Sequence, residues 1–184
     1  MKIFRSIFFA FFILTFSALA EVYAQPVEKA GENQDAIIDL HACSDEGLAI
    51  NFLCNPDWEL QTDEDVLFVV ISSEPEVTMT IARADSPVVF LDQLADPYLQ
   101  EIGGYEEGFV SSRIMLGSRE AVRVEGVSSG DPDMQMEDYY LLDDFNLYSV
   151  LFSVYPKEEW PKYKELFSKI VKSVQFPESK DKKE

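Results

Sequence analysis

The sequence is poor in the residues on which most enzyme mechanisms depend. Of its 184 residues, one is histidine and two are cysteine. Residues 126–130 match the G-x-S-x-G pattern of the nucleophile elbow of a hydrolase. Such an elbow leads into a helix, and its catalytic triad needs a histidine later in the chain. Asp131 and Pro132 follow instead, and His41 lies well before the serine. We therefore expect a loop there and a protein that is not an enzyme, although paired carboxylates could still carry acid–base chemistry.

Basic residues are also scarce. The chain has 15 lysines and arginines against 34 acidic residues, a formal net charge of −19. A field of this sign repels the phosphates of nucleic acids and of anionic lipid head groups, so neither is expected as a direct partner. It favours solubility and attracts cationic surfaces or divalent metals.

The two cysteines, Cys43 and Cys54, lack the paired CxxC spacing of a zinc site, so His41 beside them is weak evidence for one. A hairpin closed at residues 44–47 would put Cys43 opposite Leu48. Cys54 would then lie roughly 20 Å away at about 3.3 Å per residue, whereas a disulfide needs Cα atoms within about 7 Å. Two alternatives stay open: an irregular hairpin that permits a disulfide, or unpaired thiols.

The one long hydrophobic run lies at the N-terminus. Two basic residues precede an apolar segment at residues 7–18, and small residues offer cleavage sites after Ala20 and Ala24. This pattern predicts a signal peptide over residues 1–24 and an exported protein, periplasmic or extracellular. An uncleaved anchor is the alternative, but the run is shorter than the ~20 residues of a membrane span.

Removal of the signal peptide would leave 160 residues with a net charge of −20, enough for one domain. The polar segment at residues 25–35 lacks an apolar period and is expected to be a flexible lead-in. Residues 36–176 are expected to form a single folded domain. The polar residues 177–184 are expected to be a disordered charged tail.

The strongest structural pattern lies at residues 137–176. Aromatic and β-branched residues at 139–142 and 147–155 predict two strands, joined by a hairpin connection at 143–146. Apolar residues then recur at helical spacing along one stripe, with lysines opposite: Trp160, Tyr163, Leu166, Phe167, Ile170, Val171 and Val174. Pro156 should end the second strand, and Pro161 should lie in the first turn of the helix.

Earlier in the chain, shorter patterns predict strands at residues 36–40, 48–53, 66–71, 77–81, Val110–Leu116 and Arg119–Val127. The run at 66–71 is continuously apolar, as in a strand covered on both faces. Residues 90–102 predict a helix, which Pro97 could divide into two short helices. The sequence thus predicts an α+β fold with a central antiparallel sheet flanked by helices, an α/β/α sandwich.

These elements and two short signatures resemble the PsbP/Mog1 superfamily. The signatures are Asn55-Pro56-Asp57-Trp58, which follows the hydrophobic strand, and the terminal aromatic helix ending at Phe176. The resemblance covers residues 36–176. It implies an antiparallel sheet between helices, commonly in exported bacterial proteins and usually without enzymatic activity. The family includes the extrinsic subunit of photosystem II, but none of that subunit's metal- or photosystem-contacting residues can be matched to a position in this sequence.

An acidic segment contains the candidate site residues. Asp131, Asp133, Glu137 and Asp138 are candidate ligands for a divalent cation such as calcium, although the EF-hand spacing is absent and no other cofactor is expected.

The hairpin connection offers a second candidate site. Phe145, beside Asp143 and Asp144, is a large aromatic residue at a predicted turn, and an exposed aromatic residue there would suit docking on a protein. The alternative is that Phe145 folds back onto the edge of the sheet.

The sequence therefore predicts an exported, non-catalytic accessory protein that docks on a protein complex of the cell envelope through its acidic hairpin tip. A small-molecule or divalent-metal-binding module, with a pocket between sheet and helix, is the first alternative. An enzyme that uses paired carboxylates is the third interpretation.

Overall fold

A seven-stranded antiparallel sheet forms the centre of the molecule. The computed structural model describes residues 39–86, 90–94, 96–143 and 146–176. The strands of the sheet are β3 (Glu59–Asp63), β4 (Val66–Ser73), β5 (Glu76–Asp85), β6 (Val110–Leu116), β7 (Arg119–Val127), β8 (Gln135–Asp143) and β9 (Asn146–Tyr155). Their spatial order is β3-β4-β5-β9-β8-β7-β6, so the last strand in sequence lies in the middle and β6 lies at one edge.

A separate hairpin and two α-helices cover the sheet. The hairpin consists of β1 (His41–Asp45) and β2 (Ile50–Cys54), and the helices are α1 (Asp96–Gly103) and α2 (Trp160–Ser173). Short 3-10 helices precede them at Leu91–Gln93 and Lys157–Glu159. None of the helices in the described part of the chain is long and apolar enough to cross a membrane.

The larger core lies on the face of the sheet that α2 and the hairpin cover. Phe167 of α2 is fully buried and stacks on Phe152 of β9, with ring centroids 4.4 Å apart. The end of α2 is tied to β2 by a hydrogen bond from the Leu53 amide to Ser173 Oγ at 2.8 Å. Alternation along β9 supplies the floor of this core, because every second side chain points to the same face. Those residues are Tyr148, Val150, Phe152 and Val154.

A smaller core lies on the opposite face beneath α1. Leu99 and Tyr105 are buried there against Val124 of β7 and Tyr140 of β8. Gly126 permits this packing, because a Cβ at that position would lie 2.7 Å from the side chain of Phe109.

The α+β class and the sheet flanked by helices are confirmed. Strands β6 and β7 have the predicted bounds, β9 ends directly before Pro156, and Pro161 lies in the first turn of α2. The segment at residues 90–102 is divided, as Pro97 suggested, into a 3-10 helix and α1.

Other boundaries were wrong. No strand occupies residues 39–40, because β1 begins at His41, and β3 was missed altogether. Strand β4 is not buried on both faces, since deeply buried Leu67 and Val69 alternate with half-buried residues. The connection in the β8–β9 hairpin is also shorter than expected, because Asp143 pairs with Asn146.

The predictions for residues 1–38 and 177–184 lie outside the described residues. They include the signal peptide, the lead-in and the polar tail. The same holds for Asp144 and Phe145.

Candidate functional site

An open groove lies between α2 and the β6 side of the sheet. Because α2 packs over the central strand β9, the strands toward the edge extend past the helix. The groove has a volume of about 360 Å³. Half-buried Ile114 and buried Leu116 of β6 give it an apolar lining together with Val171 of α2.

A network of ion pairs forms the polar part of the groove. Arg123 of β7 donates through Nε to Glu137 of β8 and through Nη2 to Glu125. Lys164 of α2 reaches across to Glu125 Oε1 at 3.0 Å. These side chains meet because Arg123 and Glu125 alternate with Val122 and Val124, which point to the α1 face.

The network favours the charged forms of Arg123 and Glu125. Burial disfavours the charge of Arg123, but the hydrogen bond and charge of Glu137 outweigh it and raise the Arg123 pKa. Burial likewise opposes ionisation of Glu125, yet Lys164 and Arg123 lower its pKa overall. The groove therefore presents fixed charges on a rigid frame, which suits binding more than proton transfer.

Lys172, on the last turn of α2, adds a further positive charge at the groove. No described carboxylate lies within 4 Å of its ammonium group. Together with Arg123 and Lys164 it faces two carboxylates, Glu125 and Glu137. This region is thus locally cationic on a chain whose formal net charge is −19.

The structure does not bring the four predicted metal ligands together. Glu137 points to the α2 face and is engaged by Arg123, whereas its neighbour Asp138 points to the α1 face. Asp131 and Asp133 lie in the preceding loop, where Asp131 accepts a hydrogen bond from the Asp133 amide at 2.9 Å. As adjacent residues of one strand, Glu137 and Asp138 cannot both reach one cation. Weak calcium binding by this segment stays a prediction.

The predicted docking tip is described only in part. Asp143 ends β8 and forms an ion pair with Arg119 of β7 at 3.1 Å, with 13% of its side chain exposed. Its charge is therefore already engaged within the sheet. Docking through Phe145 and Asp144 stays a prediction.

Asp138 is a buried carboxyl group with no described cation beside it, and the sequence did not distinguish it from its acidic neighbours. Burial raises its pKa to about 6, while hydrogen bonds from Tyr140, Ser149 and the Tyr139 amide oppose that shift. The Tyr139 amide donates to Asp138 Oδ1 at 2.8 Å. The available signal was alternation: if the strand predicted at residues 139–142 is extended back to residue 137, Glu137 shares a face with Tyr139 and Asp138 shares a face with Tyr140.

Cys43 and Cys54 form a disulfide in the structure, with Cα atoms 5.9 Å apart. The predicted separation of roughly 20 Å was wrong because the turn occupies residues 46–49, not 44–47, and Cys43 pairs with Phe52. The hairpin turn includes Ala49 with a positive φ of 56°. In the described part of the chain, one set of three histidine, cysteine or acidic residues has ligand atoms close together: His41, Cys43 and Cys54, within 4.8 Å.

The G-x-S-x-G segment does not form a nucleophile elbow. Ser128 pairs with Tyr105 in an isolated bridge, and a bend and a turn lead on from it into β8. A nucleophile elbow would require a helix at this point.

The antiparallel sheet, with α2 and a hairpin on one face and α1 on the other, defines a small α+β sandwich protein. The chain has the PsbP/Mog1-like fold. No protein-family model matches the chain, and no curated protein matches it.

Mog1p and CyanoP are two of the solved structures that share this fold. The Ran-binding protein Mog1p of Saccharomyces cerevisiae aligns with a TM-score of 0.54 and 10% identity, over 76% of this chain and 96% of Mog1p. The cyanobacterial PsbP protein CyanoP of Synechocystis sp. PCC 6803 also aligns with a TM-score of 0.54, at 13% identity, over 83% of this chain and 100% of CyanoP. At such identities the likeness shows the fold alone.

Proposed function

We propose that the protein is an exported, non-catalytic binding protein that docks on a protein of the cell envelope. The observation that carries the proposal is the groove between α2 and the β6 side of the sheet, with its apolar lining and its fixed ion pairs. Mog1p, which shares the fold, is a Ran-binding protein, so this fold is compatible with protein recognition. The apolar segment at residues 7–18 supports the exported location.

The groove suits an extended segment of a partner. Strand β6 lies at the edge of the sheet, and an edge strand can accept a further strand through its main chain. Two of its side chains are strongly exposed, Val110 at 63% and Met115 at 61%. The local excess of positive charge at Arg123, Lys164 and Lys172 favours an acidic segment.

The experiment is crosslinking and affinity capture of the tagged protein from its native cell envelope, followed by mass spectrometry. Lys172→Glu, which reverses a charge at the groove, should abolish capture of the partner. Lys169→Glu makes the same charge change on the same helix but outside the groove, and it should leave capture intact. Loss of capture in both variants, or in neither, would contradict docking in the groove.

The hairpin tip is tested in the same assay. If Phe145→Ala reduces capture without lowering the melting temperature, the partner contacts the tip that the sequence predicted. An unchanged affinity would end that part of the proposal.

A small-molecule-binding module is the second candidate. The volume of the groove lies at the lower end of the roughly 300–1,000 Å³ range of ligand pockets, and the groove lies between sheet and helix, where the sequence predicted a pocket. If no partner is captured, a thermal-shift screen of metabolites is the decisive measurement. A stabilising compound that Lys172→Glu no longer binds would assign the groove to a small ligand.

A further inference from the structure

The β1–β2 hairpin brings the chain's one histidine and its two cysteines together on one face. His41 and Cys43 are two residues apart in β1, so their side chains point to the same face. Cys54 of β2 lies directly opposite His41 in the register of the hairpin. The three side chains therefore form a compact set of one imidazole and two sulfurs.

The two nitrogen–sulfur distances within this set match a metal site, whereas the sulfur–sulfur distance does so only after the disulfide is reduced. His41 Nε2 lies 3.6 Å from the sulfur of Cys43 and 3.6 Å from the sulfur of Cys54. Tetrahedral zinc with Zn–S of about 2.3 Å and Zn–N of about 2.0 Å would separate a nitrogen and a sulfur ligand by roughly 3.5 Å. The two sulfurs, joined in the disulfide, would have to move apart to roughly 3.8 Å in such a site.

The surroundings favour a bound cation that solvent can reach. Cys54 is 2% exposed and belongs to the core, Cys43 is half-buried, and His41 is exposed at the rim of the hairpin. A cation held by these three ligands would keep one open position on the solvent side, as zinc does when three protein ligands hold it. The acidic chain also concentrates cations at its surface.

We propose that the dithiol form of the protein binds one thiolate-preferring d¹⁰ cation, zinc(II) or copper(I), through His41 Nε2 and the sulfurs of Cys43 and Cys54. Soft sulfur ligands select such cations over calcium and magnesium. Formation of the Cys43–Cys54 disulfide removes both thiolates and abolishes the site. The hairpin thus carries a redox-gated metal site, independent of the groove beside β6.

The gate requires a dithiol reductant to open the disulfide and a disulfide oxidant to re-form it. A dithiol reductant opens the Cys43–Cys54 bond by supplying two electrons and two protons, and it becomes a cyclic disulfide itself. Two cysteine thiols result, and they release their two protons when the cation binds as its thiolate complex. A disulfide oxidant reverses the process: the two cysteine thiolates give it two electrons and rejoin as the disulfide, the oxidant takes up two protons from solvent to become two thiols, and the cation is released.

The test is a metal titration of the full chain in its reduced and oxidised forms. The protein is reduced with a phosphine, freed of reductant without oxygen, and titrated separately with zinc(II) and copper(I) against a chromophoric chelator. We expect the reduced chain to bind one equivalent of at least one of the two cations, and the disulfide form to bind none. X-ray absorption should show two sulfur ligands and one nitrogen ligand, at about 2.3 Å and about 2.0 Å for zinc.

Three variants test the ligand assignment. His41→Ala should weaken binding at least about 10-fold, because even second-shell losses at metal sites cost 10- to 100-fold. Cys43→Ser should weaken it further. Ser44→Ala changes the exposed neighbour whose side chain points to the opposite face of β1, and it should bind as the unaltered chain does. Circular dichroism confirms that each variant is folded.

Several results would overturn the proposal. They are equal binding by the reduced and oxidised chains, no binding of either cation by the reduced chain, and undiminished affinity after His41→Ala. One cation bound per two chains would also overturn it, because the ligands would then come from two molecules.

Discussion

Two adjacent acidic residues of β8 show how strongly one position in a strand changes the chemistry of a carboxyl group. Glu137 points to the α2 face, where Arg123 engages it at the groove. Asp138 points to the α1 face, where Tyr140 and Ser149 donate hydrogen bonds to it without a described cation beside it. Glu137 is thus part of an ion-pair network, whereas Asp138 is a buried carboxyl group that is easily protonated.

The raised pKa of Asp138 predicts a pH-dependent component of stability. The pKa is about 6 in the fold against an ordinary 3.8, so protonation favours the folded state. This stabilisation is fully present below about pH 3.8 and is lost as the pH rises through 6. Across pH 4.5 to 7.5 it should lower the free energy of unfolding by about 2 kcal/mol.

Denaturant unfolding of the unaltered chain and of Asp138→Asn at several pH values measures this component. The variant cannot titrate at this position, so it should lack the component, whereas Asp133→Asn removes an exposed carboxyl group and should retain it. Identical pH profiles for the unaltered chain and Asp138→Asn would show that Asp138 does not titrate as described.

At the scale of elements, α2 has two faces with different roles. Phe167 is fully buried between Phe152, Trp160 and Tyr163, whereas Lys169 is exposed and pairs with Glu165 one turn earlier. The apolar face stabilises the fold, and the remaining surface is free to meet solvent or a partner.

Substitutions on the two faces should therefore differ in cost. Phe167→Ala should lower the free energy of unfolding by about 3–5 kcal/mol, because it removes a fully buried aromatic ring and leaves a cavity. Lys169→Ala should change it by less than about 0.5 kcal/mol, since exposed ion pairs contribute little. Urea unfolding followed by circular dichroism measures both. Similar costs for the two variants would mean that α2 is not packed on the sheet as described.

For the whole molecule, the excess of negative charge is the dominant electrostatic feature. The chain carries a net charge of −19, so acidic side chains repel one another over much of its surface. Several ion pairs offset this only locally; the Arg113–Asp92 pair, for example, leaves 89% of the Asp92 side chain exposed. Repulsion should outweigh attraction in the folded protein.

Salt should consequently stabilise the protein. Raising sodium chloride from about 0.02 M to about 0.3 M shortens the Debye length severalfold and screens the repulsion. The melting temperature, measured by circular dichroism at pH 7.5, should rise. A fall on adding salt would mean that ion pairs such as that between Arg123 and Glu137 contribute more to stability than the net charge removes.

The sequence by itself determined the class of the fold and several of its elements. Strands β6 and β7 and the apolar face of α2 followed from alternation and helical spacing, which are local patterns. These patterns suffice because a strand or helix must place its apolar side chains on one face. Strand β3 was not predicted. All five of its residues are exposed, so its sequence shows no alternation of apolar and polar residues.

The tertiary structure alone decided which side chains meet. The register of the β1–β2 hairpin placed Cys54 beside Cys43 and His41, because the turn begins two residues later than its sequence indicated. The order of strands in the sheet placed Arg123 beside Glu137, and the packing of α2 over β9 left the groove open. These outcomes depend on pairing between segments that are distant in sequence, and local sequence patterns do not reveal such pairing.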